Sequence, residues 1–255
     1  YEGAGTEVGN YEIKATFTAV DSKNYKVSKE RMNAILTIEQ ATPVEPTIGE
    51  ISTVYAPGKT LAEVNLPTFT EGSLAWVNNA ELVGEVGSYG FKATFTPADT
   101  NYKAIEVTIK VNVEQATIDT SAVVFENTTV IYDGQSHSIV ASNIPEGVSV
   151  SYEGAGTEVG NYEIKATFTA VDSKNYKVSE VEKTATLTIE QATIDTSGIV
   201  FEDTTVIYDG QSHSIVASNV PEGVSVSYEG AGTEVGNYEI KATFTAVDSK
   251  NYKVS

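Results

Sequence analysis

Apolar and polar residues alternate along one stretch that recurs through the chain. In one copy Tyr162, Ile164, Ala166 and Phe168 occupy every second position, and polar side chains fill the positions between them. A period of two is typical of a β-strand with one face in a core and the other in water. The stretch lies at 8–19, 159–170 and 235–246, and in diverged form at 86–97. It predicts one long, half-buried strand in each of several similar modules.

Shorter segments of the same kind surround this strand. The predicted strands around it are 123–125, 129–132, 136–142, 148–152 and 183–190. Asp133-Gly134 is a tight-turn signal because both residue types tolerate positive φ. No segment places apolar residues at helical spacing over three turns. The pattern therefore predicts an all-β chain.

Internal repeats set the predicted domain organisation. Residues 116–179 and 192–255 align without a gap and differ at four positions, and residues 1–28 are identical to 152–179. We number the predicted repeats 1 to 4: 1–40 is the C-terminal half of a repeat, 41–114 a diverged repeat, 115–190 a complete repeat, and 191–255 a repeat without its last strand.

Both ends of the sequence fall inside a repeat, so we expect the natural protein to carry further repeats. Repeat 4 has no counterpart of 184–190, which predicts an unpaired sheet edge. We expect either the continuing chain or a neighbouring chain to supply that strand. Near-identical neighbours also favour domain swapping.

Six or seven short strands separated by turns predict a sandwich of two sheets in each module. A reduced Ig-like sandwich and a β-grasp variant both fit the module length. Tyr162 lies where a tyrosine corner is expected in such a sandwich. The predicted core residues are Tyr132, Tyr162, Ile164, Phe168, Leu187 and Ile189. Junctions without a Gly/Ser run predict tandem modules arranged as an elongated, semi-rigid rod.

The charge narrows the range of partners. A formal net charge of −19 and a pI near 4.4 disfavour nucleic acid and anionic membranes, which bind through Lys and Arg. The chain has no cysteine, so neither a disulfide framework nor thiol chemistry is expected. No apolar run approaches the roughly 20 residues that span a bilayer, so membrane insertion is not expected.

Several short motifs together resemble the MBG/YDG-type repeats of bacterial surface proteins and adhesins. They are Val130–Gly134, Gly160–Tyr162, Ala166–Thr169, Asn175–Tyr176 and Leu187–Ile189. In repeat 2 the likeness weakens, since Tyr55-Ala-Pro-Gly58 stands in place of Tyr-Asp-Gly. The resemblance implies an extracellular, cell-wall or cell-surface location with a stalk or adhesive role. It implies no catalytic residue.

Candidate binding residues are few, and each has a structural interpretation. His137 and His213 stand alone after the Asp-Gly turns, which favours a polar strand-edge role over a ligand or pH-switch role. Asp133 and Asp209 are expected to serve those turns. A structural calcium ion is a weaker hypothesis, because nothing matches an EF-hand loop. Its oxygens would come from Asp119, Glu153, Asp172 and Asp195. No other cofactor is expected.

Three further features are candidates for binding or cross-linking. Gly154-Ala-Gly156 lacks the Lys-Ser/Thr and the helix of a phosphate loop and is expected to be a turn. Lys165 faces the polar side of its strand, which disfavours an intramolecular isopeptide bond. Trp76 is the one candidate for contact with a sugar, although its position parallels a core residue.

Two functions remain open on the sequence alone. Near-identical copies favour a structural spacer, stalk or fibre that contacts its own neighbouring repeats and self-associates. The alternative is an adhesive module that binds mucin, glycan or a host protein weakly and gains avidity from copy number. An enzyme is disfavoured because no convergent acid, base or nucleophile is present.

Overall fold

The computed structural model describes residues 1–255 and consists almost entirely of strands and loops. Its only helix is the 3-10 turn Leu61–Glu63, so the all-β prediction is confirmed and the β-grasp alternative has no helix to pack on its sheet. No helix has the length and apolar character needed to cross a membrane. The chain divides into two compact units. Unit 1 holds 1–116 with 174–176, and unit 2 holds 117–173 with 177–255.

Unit 1 contains a hairpin and a four-stranded sheet. Its strands are β1 (Gly9–Thr16), β2 (Arg31–Ile38), β3 (Ile51–Val54), β4 (Gly72–Trp76), β5 (Gly87–Pro97) and β6 (Ile105–Glu114). β1 and β2 pair only with each other, with Gly9 opposite Ile38. The sheet order is β3-β6-β5-β4, in which β3 runs parallel to β6 and the other pairs are antiparallel. Its core contains Val111, Ile109 and Ala93.

Repeat 3 has the same sheet order. Its strands are β7 (Ala116–Ile118), β8 (Thr128–Ile131), β9 (Val148–Glu153), β10 (Gly160–Ala170), β11 (Tyr176–Val178) and β12 (Glu182–Glu190). The four-stranded sheet is ordered β8-β12-β10-β9, and β7 pairs with β11. β10 is the long alternating strand of the sequence. β12 and β9 flank it on either side, and Val123, Phe125, Ile139 and Ala141 pack on its inner face, which is buried from Ile164 onward.

The layer opposite this sheet differs from the prediction. Residues 136–142 and 123–125 were expected to be strands, yet they contribute only the isolated bridges His137–Gly156 and Val124–Ser142. Their apolar side chains are nevertheless buried: Val123, Phe125, Ile139 and Ala141 all belong to the core. The strand prediction was wrong because burial alone produced the apolar pattern, without continuous hydrogen-bond pairing.

The predicted core residues of repeat 3 lie on the inner face of its sheet. Ile164, Phe168, Leu187 and Ile189 are fully buried. Tyr132 and Tyr162 are half-buried and pack against the same cluster. On the outer face, Lys165 Nζ lies 2.6 Å from the Glu182 carboxylate, so this lysine has a solvent-side partner and does not enter the core.

Repeat 4 has less regular structure than repeat 3. Its strands are β13 (Ala192–Ile194), β14 (Val224–Glu229), β15 (Lys241–Ala246) and β16 (Tyr252–Val254). β14 pairs with β15, and β13 pairs in parallel with β16. No strand lies beside β15 on the edge that β12 occupies in repeat 3.

Candidate functional site at the repeat junction

The site begins with a turn that positions one asparagine. At the end of repeat 4, the Asp248 carboxylate accepts hydrogen bonds from Asn251 N at 3.2 Å and from Asn251 Nδ2 at 2.8 Å. A short Asp side chain that bonds the backbone a few residues later is a common turn device. The hydrogen bond from the Asn251 side chain holds the pKa of Asp248 below its ordinary value, so this carboxylate stays ionised.

The carboxamide of Asn251 also forms hydrogen bonds with the preceding repeat. Its Oδ1 accepts a hydrogen bond from Val159 N at 2.9 Å, and its Nδ2 donates to Glu158 Oε2 at 2.5 Å. A neutral carboxamide offers both a donor and an acceptor, as this position requires. Asn251 is only 3% exposed, which makes it the buried centre of the contact.

Charged and aromatic contacts surround this asparagine. Lys250 Nζ lies 3.5 Å from Glu158 Oε2. The ring of Tyr252 meets the ring of Tyr132 edge-on, with centroids 5.3 Å apart and planes at 87°. Partial burial and the nearby Glu158 charge raise the pKa of Tyr132. The junction thus combines an amide clamp, an ion pair and an aromatic contact.

The linker itself is hydrogen-bonded into the following repeat. Gln191 Nε2 donates to the backbone oxygen of Ser249 at 2.8 Å, and Ala192 N donates to Asn251 O at 3.0 Å. β13 continues from there in parallel pairing with β16. Because the linker backbone is bonded within a few residues of β12, little free chain separates the two repeats.

Unit 1 builds the same contact from equivalent residues. Asn101 Oδ1 accepts from Val8 N at 2.7 Å, and Asn101 Nδ2 donates to the Glu7 carboxylate. Gln40 Nε2 donates to Thr100 O at 3.0 Å, as Gln191 does in unit 2.

A second set of these contacts also belongs to unit 1. Asn175 Oδ1 accepts from Val86 N at 3.0 Å, and the Tyr176 ring meets Tyr55 at 5.5 Å and 89°. The asparagine contact therefore occurs three times in the chain.

A half-buried tyrosine shapes the loop that receives the asparagine. Tyr162 Oη donates to Glu158 O at 2.8 Å, a backbone contact of the tyrosine-corner type expected from the sequence. Tyr11 makes the same bond to Glu7 O at 2.8 Å. In repeat 3 a Cβ added at Gly156 would lie 2.3 Å from the Tyr162 ring, so this position of the loop requires glycine.

Sequence reasoning did not identify this junction. Asn251 and Val159 are 92 residues apart, and no periodic pattern links positions at that distance. The signal that could have indicated the asparagine was an Asn-Tyr pair two or three residues after an aspartate, which recurs at Asn101, Asn175 and Asn251 and also at Asn24. Among these, only Asn175 entered the sequence-based prediction, as part of a family motif.

The other candidate residues lie elsewhere. Trp76 is half-buried, its Nε1 donates to Val64 O at 3.1 Å, and its ring packs edge-on against Phe91. Little of Trp76 is free to stack on a sugar.

The two histidines are not isolated. His137 Nε2 lies 2.8 Å from Asp133 Oδ1, and His213 Nε2 lies 2.8 Å from Asp209 Oδ1. Backbone donation from Gln135 and the contact with His137 lower the pKa of Asp133. The aspartates therefore serve the turns and also hold the histidines.

Two of the four candidate calcium ligands, Asp119 and Asp195, act as turn acceptors. Asp119 Oδ1 accepts from Ser121 N at 2.9 Å, and Asp195 Oδ1 accepts from Ser197 N at 2.9 Å. No group of three or more His, Asp or Glu side chains is arranged to hold a metal ion. Gly154 has a φ of +92°, which fits its predicted role in a turn.

A comparison with protein families confirms the resemblance that the sequence motifs indicated. The profile of the MBG domain family matches residues 121–193 and 198–255, together just over half of the chain. No curated protein sequence matches the chain.

Solved structures give only distant likenesses. The human desmocollin-1 ectodomain is 8% identical, with 96% of this chain and 68% of that chain covered and a TM-score of 0.24. A SusE-like surface-located polysaccharide-binding protein from Bacteroides thetaiotaomicron is 10% identical, with 98% and 62% covered and a TM-score of 0.18. Such low TM-scores carry no argument about fold or function.

Proposed function

The chain belongs to the MBG domain family, and from that premise we propose that it is a non-catalytic repeat region of a bacterial surface protein. In this role the repeats act as an extracellular stalk, spacer or fibre that holds other parts of the protein away from the cell. The elongated arrangement predicted from the sequence belongs to this proposal.

The junction is the observation that carries the proposal. Repeats joined by a flexible tether need no buried contact with each other. Asn251, in contrast, is buried, and its carboxamide forms hydrogen bonds with the preceding repeat. The same donor and acceptor pattern is repeated at Asn101. A spacer gains from such joints because they limit bending without requiring any distinct binding surface on each repeat.

The acidic composition fits an extracellular spacer. A net charge of −19 keeps a long, crowded molecule soluble and repels anionic surfaces. The repeated asparagine contact involves a neutral amide beside carboxylates, so it does not require added cations to form.

Small-angle X-ray scattering on the whole chain tests the spacer role. We expect an extended particle, and we expect the double variant Asn101→Asp, Asn251→Asp to broaden the distribution of maximum dimensions. Each substitution removes the Nδ2 donor and places a second carboxylate beside Glu7 or Glu158, so a hydrogen bond is replaced by charge repulsion. Asn161→Asp is the matched control, because Asn161 is exposed and only accepts from Thr188 Oγ1. A compact wild-type particle, or a double variant that scatters like the control, would contradict the proposal.

Adhesion is the second candidate function, and a different surface favours it. Unit 1 has a cavity of about 450 Å³ whose lining includes Phe69 and Tyr102 beside Glu71 and Asp99, with the buried Phe95 at its base. Aromatic faces with nearby carboxylates suit a sugar, whose hydroxyl groups need acceptors. A glycan array on the whole chain would show a signal reduced by Tyr102→Ala and unchanged by Trp76→Phe. An array without signal would leave the spacer as the only proposed function.

A further inference from the structure

The chain enters repeat 2 at one end of its long strand and leaves it at the other. The linker residue Ala41 donates its N–H to Asn101 O at 2.9 Å, and Asn101 lies just after the C-terminal end of β5. The last strand, β6, ends at Glu114 beside the first residue of β5, since Val113 lies opposite Gly87. A pull on the chain from both sides of the repeat therefore acts along the strands.

The entering segment pairs in parallel with the chain that leads into β6. Ala41 forms a parallel bridge with Tyr102, and Lys103 N donates to Ala41 O at 2.9 Å. From Lys103 the chain continues into β6 at Ile105. Under tension the entering segment is pulled toward its N-terminal end and β6 toward its C-terminal end. In a parallel pair these directions are opposite, so the pull slides the two segments along each other.

A second parallel pair of repeat 2 is loaded in the same way. β3 lies beside the last part of β6, with Ile51 opposite Val111 and Val54 opposite Glu114. Tyr55 N adds a hydrogen bond to Glu114 O at 2.9 Å. β6 is therefore held, at the residue where tension leaves the repeat, by a strand that is pulled the other way.

Repeat 3 has the same parallel pair at its last strand. β8 lies beside the end of β12, with Thr128 opposite Leu187 and Ile131 opposite Glu190. Tyr132 N donates to Glu190 O at 2.9 Å, as Tyr55 N does to Glu114 O. The pair is thus present in both repeats although repeat 2 has diverged in sequence, so it belongs to the fold.

We propose that these parallel pairs are mechanical clamps, through which each repeat resists unfolding when the chain is under tension. Hydrogen bonds between two strands that are pulled along each other are strained together, and several must break before the strands move. Forced unfolding is governed by the unfolding rate, and such a concerted step keeps that rate low. The resistance belongs to the single repeat, so the inference goes beyond the proposed spacer and does not depend on it.

The same sheet contains a pair that can be opened in a different way. β4 is the edge strand beside β5, with Gly72 opposite Pro97, and Ala98 N donates to Glu71 O at 2.7 Å. Because this pair is antiparallel, Glu71 and Ala98 lie at its open end. Pulling these two residues apart strains the hydrogen bonds one after another. The β4–β5 pair is therefore an internal reference within the same fold.

Optical-tweezers measurements on the full-length chain compare the two directions of pulling. Cysteine handles are specific because the chain has no cysteine of its own. Glu39→Cys with Glu114→Cys loads repeat 2 along its strands, and Glu71→Cys with Ala98→Cys opens the β4–β5 pair. All four side chains are exposed, so the handles leave the core intact. At one loading rate we expect the first variant to unfold at a force at least twice that of the second.

The length released identifies each event, because an extended chain spans at most about 3.6 Å per residue and the first pair of handles encloses more residues. Equal forces in the two directions, or a lower force along the strands, would overturn the proposal. In repeat 3 the handle pairs Glu114→Cys with Glu190→Cys and Glu146→Cys with Val171→Cys should give the same order. The opposite order there would overturn the clamp as a property of the fold.

A variant pair tests the hydrogen bond at the end of the clamp. Tyr55→Pro and Tyr55→Ala both remove the tyrosine ring, but only proline also removes the N–H that bonds to Glu114 O. With handles at positions 39 and 114, the proline variant should unfold at a lower force than the alanine variant. With handles at positions 71 and 98, the two variants should unfold at the same force. Equal forces along the strands would contradict the clamp.

Discussion

Repeats 3 and 4 share almost the same sequence over 64 aligned positions, 116–179 and 192–255, yet they differ in structure. Phe168 and Ile164 are fully buried in repeat 3, whereas Phe244 and Ile240 are only half-buried in repeat 4. None of the four substitutions replaces these residues, and the one at Val123/Ile199 exchanges one aliphatic core side chain for another. In repeat 3, β12 pairs with β10 and its side chains complete the core, whereas within residues 1–255 no strand pairs with β15 on the corresponding edge.

β12 also determines how long the central strand is. β10 begins at Gly160, but β15 begins at Lys241, five residues after the corresponding Gly236. In repeat 1, β1 begins at the corresponding Gly9, because β2 lies beside it. The sequence Gly-Asn-Tyr-Glu-Ile therefore forms a strand only where a partner strand is present, so pairing outweighs intrinsic propensity here.

Adding a strand of the β12 sequence to residues 1–255 should have the largest effect. Extending the chain after Ser255 with the sequence of residues 180–190 should stabilise repeat 4 by about 5 kcal/mol, since burial of each Leu or Ile side chain contributes roughly 1.5–3 kcal/mol. Urea unfolding measures the gain. The same extension with Asp at the position of Leu187 is the control and should give little stabilisation.

Removing the central aromatic residue should affect the two repeats unequally. Phe168→Ala should cost about 3–5 kcal/mol because it leaves a cavity in a fully packed core. Phe244→Ala should cost roughly half as much, because Phe244 already contacts water. Urea unfolding of the two single variants makes the comparison. Equal losses would show that the core of repeat 4 is as tightly closed as that of repeat 3.

A smaller effect is expected at the glycine beneath the corner tyrosine. Gly156→Ala should cost about 1–3 kcal/mol, because its Cβ would displace the packed Tyr162 ring. Gly232→Ala should cost less than about 1 kcal/mol, since Tyr238 is exposed and can move aside. Thermal unfolding distinguishes the two variants. A larger loss for Gly232→Ala would show that Tyr238 is held as firmly as Tyr162.

The smallest expected effect is on the pH dependence of stability at acidic pH, and it should be equal in the two repeats. Hydrogen bonds from Gln135 and Gln211, followed by the contacts with His137 and His213, lower the pKa of Asp133 and Asp209. A lowered carboxyl pKa stabilises the fold above the ordinary value of about 3.9, and this contribution is lost as the pH falls through the folded-state pKa.

Asp133→Asn and Asp209→Asn should therefore each make the melting temperature less sensitive to pH below about 4. Circular dichroism melts between neutral and acidic pH measure this. The two variants should match, because the Asp–His distance is 2.8 Å in both repeats. A larger change for Asp209→Asn would mean that β12 affects the turn as well as the core.

Much of the fold could be predicted from alternation. Tyr162 to Phe168 indicated β10 and its inner face, and the Ala185–Ile189 pattern indicated β12, because each strand has one face in the core and one in water. The opposite layer could not be predicted in the same way. Ile139 and Ala141 are buried from an irregular segment, and an apolar pattern reports burial without reporting hydrogen-bond pairing.

The contacts at the repeat junction could not be predicted from the sequence pattern. The contact of Asn251 with Val159 and Glu158 depends on how one repeat meets the next. Nothing near Asn251 in the sequence distinguishes a turn asparagine from one that also clamps a neighbouring loop. The pairing of His137 with Asp133 was also missed although it is local, because it depends on the conformation of the Asp-Gly turn, which brings together residues four positions apart.

By itself the sequence determined the all-β class, the repeat spacing, the inward face of the long strand and the family, because period-two alternation and copied motifs are local properties. Tertiary structure decided which copies of that strand reach full length, which tyrosines are covered and which asparagines join repeats. Those outcomes depend on a partner strand or a neighbouring repeat, and identical residues with and without that partner bury different surfaces.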